Sequence, residues 1–376
     1  VKIVGVGAVA QVDPAGRSGA EEVDRAEPAE EAEAAEGTGA ANASGEPSAA
    51  PGDTPRRRRT RTRRVLLGAL VLLLTGILAI AGTGWWAVEH YTGKVDRIPN
   101  AFPTNVPESE QPKAGKGGET FLLVGVDARS DLPTTGKNAK APEWKRGAQR
   151  SDTMMLVHLP ADHKQAYVIS LPRDSWVPIP GNGKAKLNAA FSWGGPPLLI
   201  DTVQRLTDVK VDHLAVIDWS GFRTLTDAVG GVDLGGKHMD GAQALSYVRE
   251  RYSLPRGDLD RTHRQQAFLR AVLAKTLTAG SFSNPLKAKK LLDNVTSTVS
   301  VDDRLSDGDL RDLMWSVKGV RTGDMVFMNA PVAGFDMIKG QSVVLLDPNG
   351  TSQLWEAIRN DTMADYVATH SLDRLS

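Results

Sequence analysis

Residues 65–88 read VLLGALVLLLTGILAIAGTGWWAV, twenty-four positions without a charge, and no other stretch limits the architecture so strongly. As an α-helix the run would measure about 36 Å, enough to cross a bilayer hydrocarbon core of roughly 30 Å with some tilt. Trp85 and Trp86 stand at its far end, where amphipathic rings suit the membrane–water interface. Seven arginines fill residues 56–64 (RRRRTRTRR) just before it, a flank that argues against a buried core helix. Ala79-Ile80-Ala81 imitates a signal-peptide cleavage site, but the preceding chain is far longer than an n-region and the apolar run continues past it. The sequence therefore predicts an uncleaved single-pass anchor over residues 65–88. Arginines on its amino side put the N-terminus in the cytoplasm and residues 89–376 outside the plasma membrane.

Charge follows the same division. The 376 residues carry 45 Lys+Arg against 45 Asp+Glu, yet residues 1–55 hold eleven acids and three bases, a net of −8. With the arginine run they form a predicted disordered cytoplasmic tail, residues 1–64, too poor in apolar side chains to offset its ordering entropy. The remaining chain is close to neutral. The arginine run lacks interleaved aromatics and abuts the anchor, so nucleic acid is not an expected partner. Absence of cysteine excludes thiol nucleophiles, CxxC redox pairs and Cys-ligated metals. Gly5-Val6-Gly7-Ala8-Val9-Ala10 mimics a dinucleotide fingerprint, but an acidic low-complexity stretch follows it instead of a βαβ unit.

Residues 89–118, with IPNAFPTNVPESEQPKAGKGG, read as a linker that lifts residues 119–376 off the membrane. In that last segment apolar runs of strand length alternate with helical patterns. Strands are predicted over 120–126, 153–159, 166–171, 213–218, 325–329 and 342–346. Helices are predicted over 197–206, 220–229, 241–248, 259–278, 286–296, 307–317 and 352–359. The fold class is α/β, a three-layer α-β-α arrangement around a mixed central sheet.

Arginine and aspartate gather at strand ends. The first strand stops at Asp127-Ala128-Arg129; Arg150-Ser151-Asp152 opens the second; Leu171-Pro172-Arg173-Asp174 closes the third. Ligands of open α/β sheets bind at strand carboxyl ends, although any single charge there is ordinarily just solvated. A fourth stretch joins Tyr247-Val248-Arg249-Glu250-Arg251 to DLDRTHRQQ. On a helix Arg249 and Arg251 would point about 200° apart, whereas extended backbone aims both one way, and Pro255 and Gly257 favour the latter. Arg261 and Gln265 share a helix face with Phe268, Leu269 and Val272. An inward arginine needs an anion, supplied either by buried aspartates or by a ligand. Five inward-directed arginines (150, 173, 249, 251 and 261) match a diphosphate, whose oxygens suit the guanidinium fork. Asp127 and Asp152 beside it point to a divalent cation, Mg²⁺ or Mn²⁺. No HExxH, GxSxG or GxxxxGK[ST] pattern is present.

FLLVGVDAR, RSDTMMLVHL, VISLPRD, KLNAAFSWGG, HLAVIDWSGFRTLTDAVGGVD, MDGAQALSYVRER and DLDRTHRQQ, in this order, resemble the LytR-CpsA-Psr family of cell-wall glycopolymer ligases, of actinobacterial type. The resemblance covers residues 119 to about 277. It implies an Mg²⁺-dependent phosphotransferase that moves a glycan from a polyprenyl-diphosphate carrier to peptidoglycan, leaving a phosphodiester. Asp127 and Asp152 would hold the metal. Arg150, Arg173, Arg249, Arg251, Arg261 and Gln265 would clamp the diphosphate, with Lys186 and Asn188 nearby. Residues 198–203 and 222–229 would line a channel for the lipid, although by composition they read as core. Asp127 or Asp174 would accept the acceptor's proton. The stretch between Asp127 and Arg150 is longer than the family's usual link and is expected to form a mobile loop over the site. Two other functions remain open on the same residues: a polyprenyl-diphosphate phosphatase, and a non-catalytic lipid-phosphate-binding regulator of wall biogenesis.

Overall fold

Leu122, Val124 and Val126 alternate with Phe121 and Leu123, so this strand has two apolar sides and must be covered on both. The computed structural model describes residues 95–127, 133–140, 142, 144–250, 258–277, 293–316 and 320–370. The predicted tail, the predicted anchor, Arg129, Arg251 and most of the helix expected over 286–296 lie outside them. Among the described residues no helix is long and apolar enough to cross a membrane.

Strands β1 (Asp96–Ile98), β2 (Glu119–Asp127), β3 (Arg150–Leu159) and β4 (Ala166–Ser170) precede a hairpin of β5 (Trp176–Ile179) and β6 (Gly183–Lys186). Helix α1 (Asn188–Thr207) leads to β7 (His213–Asp218), α2 (Trp219–Ala228), a hairpin of β8 (Val232–Leu234) and β9 (Lys237–Met239), and α3 (Gly241–Arg249). After α4 (Asp258–Leu277) come β10 (Val299–Asp302), α5 (Asp307–Ser316) and β11 (Met325–Asn329). A third hairpin, β12 (Val332–Ile338) with β13 (Gln341–Leu346), precedes α6 (Pro348–Arg359) and α7 (Met363–Thr369).

Seven strands form one mixed sheet in the order β1-β10-β7-β2-β3-β4-β11. β2, β4, β7 and β11 all run one way; β1, β3 and β10 run the other. One edge of the sheet therefore collects four strand carboxyl ends together with the starts of β1, β3 and β10. On one face Leu122, Val124, Leu156 and Ile169 pack with Leu199, Ile200 and Val203 of α1 and Leu354 and Ile358 of α6. On the other, Met155, Val168 and Phe327 meet Leu269 and Leu273 of α4, while Phe121 and Val301 meet Leu310 and Leu313 of α5. Helices thus cover both faces of a mixed sheet.

Three expectations are corrected. The linker ends by Asp96: β1 pairs with β10, and Ala101 and Phe102 are 0% and 4% exposed in the main core. Three-residue strands carry no legible period, which is why β1 escaped the pattern. The helix expected over 197–206 is present, but a further helical segment from Asn188 precedes it across a kink at Gly195, where φ is 67°. A Cβ there would lie 2.8 Å from the Trp144 ring, so the close approach and the backbone angle both require glycine. Finally, described parts of the stretch after Asp127 are fastened down. Thr134 and Thr135 are 0% and 1% exposed; Thr134 N–H donates to Asp218 Oδ2 (2.5 Å) and Thr135 Oγ1 to the Thr298 carbonyl (2.7 Å). Gly147 N–H reaches the Ser192 carbonyl of α1 (2.9 Å).

Candidate functional site

The site begins with a fault in the sheet. Gly125 pairs with Thr153, but Val126 pairs with Ser151, which leaves Asp152 as an extra residue on β3. Uninterrupted pairing would set Ser151 opposite Asp127; the bulge sets Arg150 there instead. Bulges beside functional sites commonly re-aim a side chain, and no residue pattern announces one. Asp152, with 8% of its side chain exposed, accepts a hydrogen bond from Arg173 Nη1.

Arg173 is set by the turn after β4. Ser175 N–H donates back to the Pro172 carbonyl (3.0 Å), closing the turn. Its other side is fixed by Asn188 N–H on the Arg173 carbonyl (3.0 Å) and Val344 N–H on the Asp174 carbonyl (2.9 Å). Asn188 therefore contributes through its backbone as the first residue of α1. Asp174 stands between two cations, Lys186 Nζ at 3.1 Å and Arg173 Nε at 3.6 Å.

The helices bring the remaining groups. Asp240 caps α3 and forms a capping box with Gln243, and the helix stops at Arg249 because Glu250 turns extended (ψ 135°). The departure from helix that the arginine spacing required thus occurs one residue after Arg249; Arg251 lies outside the described residues. Arg249 Nη2 is 3.8 Å from Asp127 Oδ2, and its guanidinium lies 5.3 Å from the Trp219 ring centroid. Asp218, ending β7, accepts from Gly221 N–H (2.7 Å) and caps α2, which delivers Trp219 to the sheet edge. Trp219 meets Phe222 edge-on, and Phe222 stacks on Phe268 of α4 at 3.8 Å. On α4 itself, Arg261, Gln265, Phe268 and Val272 form the buried face that their spacing predicted.

Burial separates the arginines. Arg261 and Arg173 face inward, whereas Arg150 is exposed and Arg249 keeps 49% of its side chain in solvent. The expectation that all five point inward is therefore corrected: two anchor and two open outward, as their positions at a strand start and a helix end dictate. Leu199, Ile200 and Val203 are wholly buried in the main core under the sheet, and Phe222 joins a second cluster with Val248 and Phe268.

Two contributors escaped the sequence reading. Trp219 fell between the predicted strand 213–218 and helix 220–229 and was assigned no role, although an aromatic directly after an aspartate at a strand end was its available signal. Gln266 is wholly buried, with Nε2 2.8 Å from Ser170 Oγ, 2.9 Å from the Met328 carbonyl and 3.1 Å from Asn329 Oδ1. It ties α4 to the carboxyl ends of β4 and β11. Nothing local distinguishes it from Gln265.

The described edge thus gathers Arg173, Lys186 and Arg249 against Asp152, Asp174 and Asp127, with Arg150 opposite Asp127 on β3 and Arg261 buried on α4, and guanidinium groups of this kind suit oxyanion ligands. Among the described residues no group of three or more His, Asp or Glu side chains is arranged to hold a metal. Two carboxylates fit magnesium only where phosphate oxygens and water complete the shell, which is that ion's common arrangement.

A mixed α/β sheet with a cation-rich carboxyl edge is the class of protein seen here. The chain belongs to the LytR_cpsA_psr family, whose family model matches residues 90–237 and 232–360. It is 31% identical over 334 residues to a probable cell wall biosynthesis protein, LcpB, of Corynebacterium glutamicum, covering 84% of this chain and 77% of that one. It is 29% identical to a polyisoprenyl-teichoic acid–peptidoglycan teichoic acid transferase, TagU, of Enterococcus faecalis, covering 64% of this chain and 79% of that one. A crystal structure of the Streptococcus agalactiae protein gbs0355 shares the fold, with a TM-score of 0.55 at 24% identity over 68% of this chain and 96% of that one.

Proposed function

We propose that this chain is a membrane-anchored phosphotransferase that moves a glycopolymer from a polyprenyl-diphosphate carrier to peptidoglycan and leaves a phosphodiester. The observation that carries the reading is the set of ion pairs at the sheet edge, Arg173 with Asp152, Lys186 with Asp174 and Arg249 with Asp127, on a family fold whose relatives include named teichoic acid transferases. The linkage is a diphosphate, and fixed guanidinium groups neutralise the charge that grows on its oxygens as the bond breaks. Arg173 and Arg261 are held by burial, so they cost little reorganisation when the substrate arrives; Arg249 and Arg150 are exposed enough to close on it. A hydroxyl of the peptidoglycan acceptor attacks the glycan-bearing phosphorus, and polyprenyl phosphate leaves. The hydroxyl's proton passes to Asp174, which lies 3.1 Å from Lys186 Nζ and 3.6 Å from Arg173 Nε, or to Asp127 where that carboxylate does not ligate the metal. Asp127 and Asp152 would hold Mg²⁺, which would supply further charge neutralisation.

The test uses full-length protein in lipid vesicles with a labelled lipid-linked glycan, peptidoglycan and Mg²⁺. Label on peptidoglycan, lost with Asp152→Ala or with a chelator, is the expected outcome. Label released only as free phosphorylated glycan would replace transfer with a phosphatase. No turnover, with binding of the lipid-linked glycan intact, would leave a lipid-phosphate-binding regulator.

A further inference from the structure

Among the described residues the exposed large hydrophobics are Trp193, Phe335 and Met337, at 36%, 55% and 65% exposure. All three lie on elements bonded to the turn that carries Arg173. Trp193 is about 8 Å along α1 from Asn188, whose N–H donates to the Arg173 carbonyl. Phe335 and Met337 stand on β12, whose partner β13 is joined to the turn through Val344 N–H and the Asp174 carbonyl. Separated by two positions, Phe335 and Met337 share one face of the hairpin, and the exposed Lys339 follows at its tip. Water-facing phenylalanine and methionine on one hairpin make an apolar patch that wants a cover.

The topology indicates what covers it. β1 is parallel to β10, and β10 antiparallel to β7, so the chain enters β1 at the same edge where β7 and β11 end. Asp96 lies only eight positions after Val88, the end of the charge-free run, a span of at most about 28 Å. That entry and the β12–β13 hairpin lie at opposite ends of the seven-strand edge, six strand spacings or about 29 Å apart. The diphosphate site lies between them.

We infer that the β12–β13 hairpin docks on the outer surface of the lipid bilayer through Phe335 and Met337, with Lys339 at the headgroups, and so holds the sheet edge against the membrane that contains the carrier lipid. The inference rests on the membrane-anchored reading and adds a second point of contact. A tether alone lets the domain swivel; a tether and an apolar hairpin at the two ends of one edge turn the site towards the bilayer. Apolar rings at the interface beside a cation are the usual chemistry of such contacts.

The chain has no cysteine, so Met337→Cys in the full-length protein gives a unique attachment point for an environment-sensitive fluorophore. Lys164→Cys, in the exposed turn between β3 and β4 at the opposite edge, is the reference. Both proteins are floated with phosphatidylglycerol/phosphatidylcholine vesicles bearing a nitroxide lipid. Failure to float sinks the anchored reading and the docking with it. Among floated protein, a blue-shifted and quenched label at position 337 and a water-like one at 164 is the expected result. Water-like emission at both sites overturns the docking and leaves the anchor standing. A shift produced by soluble peptidoglycan fragments without lipid would make the patch an acceptor surface instead. In parallel, Phe335→Asp with Met337→Asp is expected to lower transfer from a vesicle-embedded donor roughly tenfold, while a short-chain, water-soluble donor is used normally. Equal loss on both donors overturns the proposal.

Discussion

The two edges of the central sheet treat charge in opposite ways. At the edge opposite the site, Asp302 is wholly buried and fully engaged: it accepts from Leu214 N–H (2.9 Å), Arg304 N–H (3.0 Å) and Leu305 N–H (3.1 Å), with His213 Nδ1 at 3.3 Å. Burial alone would raise its carboxyl, but His213 and these backbone donors outweigh it and lower the group below the usual carboxylate value. His158 nearby is bracketed by Thr120 Oγ1 (3.2 Å) and Asp361 Oδ1 (3.0 Å). At the carboxyl edge, by contrast, Arg249 and Asp127 stand 3.8 Å apart with the arginine half in water. One edge consumes its charges in holding the fold together. The other leaves part of its charge open to solvent.

That contrast can be broken by experiment. Arg173→Ala should have the largest effect, because it joins the two regimes. It leaves the nearly buried Asp152 without its guanidinium, which should cost about 3–5 kcal/mol in urea denaturation, and it should abolish transfer. Arg173→Lys should recover part of the stability but little transfer, since an ammonium lacks the fork. A stable, active Arg173→Ala protein would mean that the site edge does not depend on this pair.

Arg249→Ala should separate the regimes cleanly. An exposed, long ion pair contributes little, so stability should change by no more than about 0.5 kcal/mol, whereas transfer should fall roughly a hundredfold if Arg249 stabilises the reacting phosphate. Loss of stability instead of transfer would place Arg249 with the structural charges.

His158→Gln probes the opposite edge and should be the mildest. Burial holds His158 below its ordinary 6.5, with Asp361 opposing. The unfolded chain therefore binds a proton at a pH where the folded chain does not, and stability present above pH 6.5 is lost as pH falls below it. A glutamine at this position cannot titrate, so urea midpoints between pH 8 and 5 should fall less steeply than in the parent, with transfer at pH 7.5 unchanged. An unaltered slope would show that His158 is not the group that titrates.

Much of the sheet was legible because its central strands repeat with a period of two and are apolar on both sides. Strands 213–218 and 325–329 were located to the residue. β1, β5, β6, β8, β9 and β10 were not, since three or four residues hold too few alternations to rise above loop composition. The β12–β13 hairpin was half seen: β13 has buried Val343 and Val344, but β12 carries its large apolar residues outward and ends in Lys339-Gly340. Within the site, Arg261 and Gln265 were legible from helical spacing, and Asp127 and Arg173 from their place at strand ends. Asp152 was named, but its setting depends on a register shift between two strands, which neither strand encodes alone. Gln266 and Trp219 act through partners more than sixty and about thirty positions away, Met328 and Arg249, and no local window contains both members of either pair.

By itself the sequence determined the long central strands, most of the helices and which of them carry charge at their ends, because periodicity and capping are short-range properties of the chain. It also divided that charge into an acidic stretch, an arginine run and a nearly neutral remainder. Tertiary structure alone decided which of the arginines are held and which are open, and that the entry of the chain, the cation cluster and the Phe335–Met337 face lie along one edge. Burial and strand order arise from contacts between residues far apart in sequence, and only the folded chain brings those together.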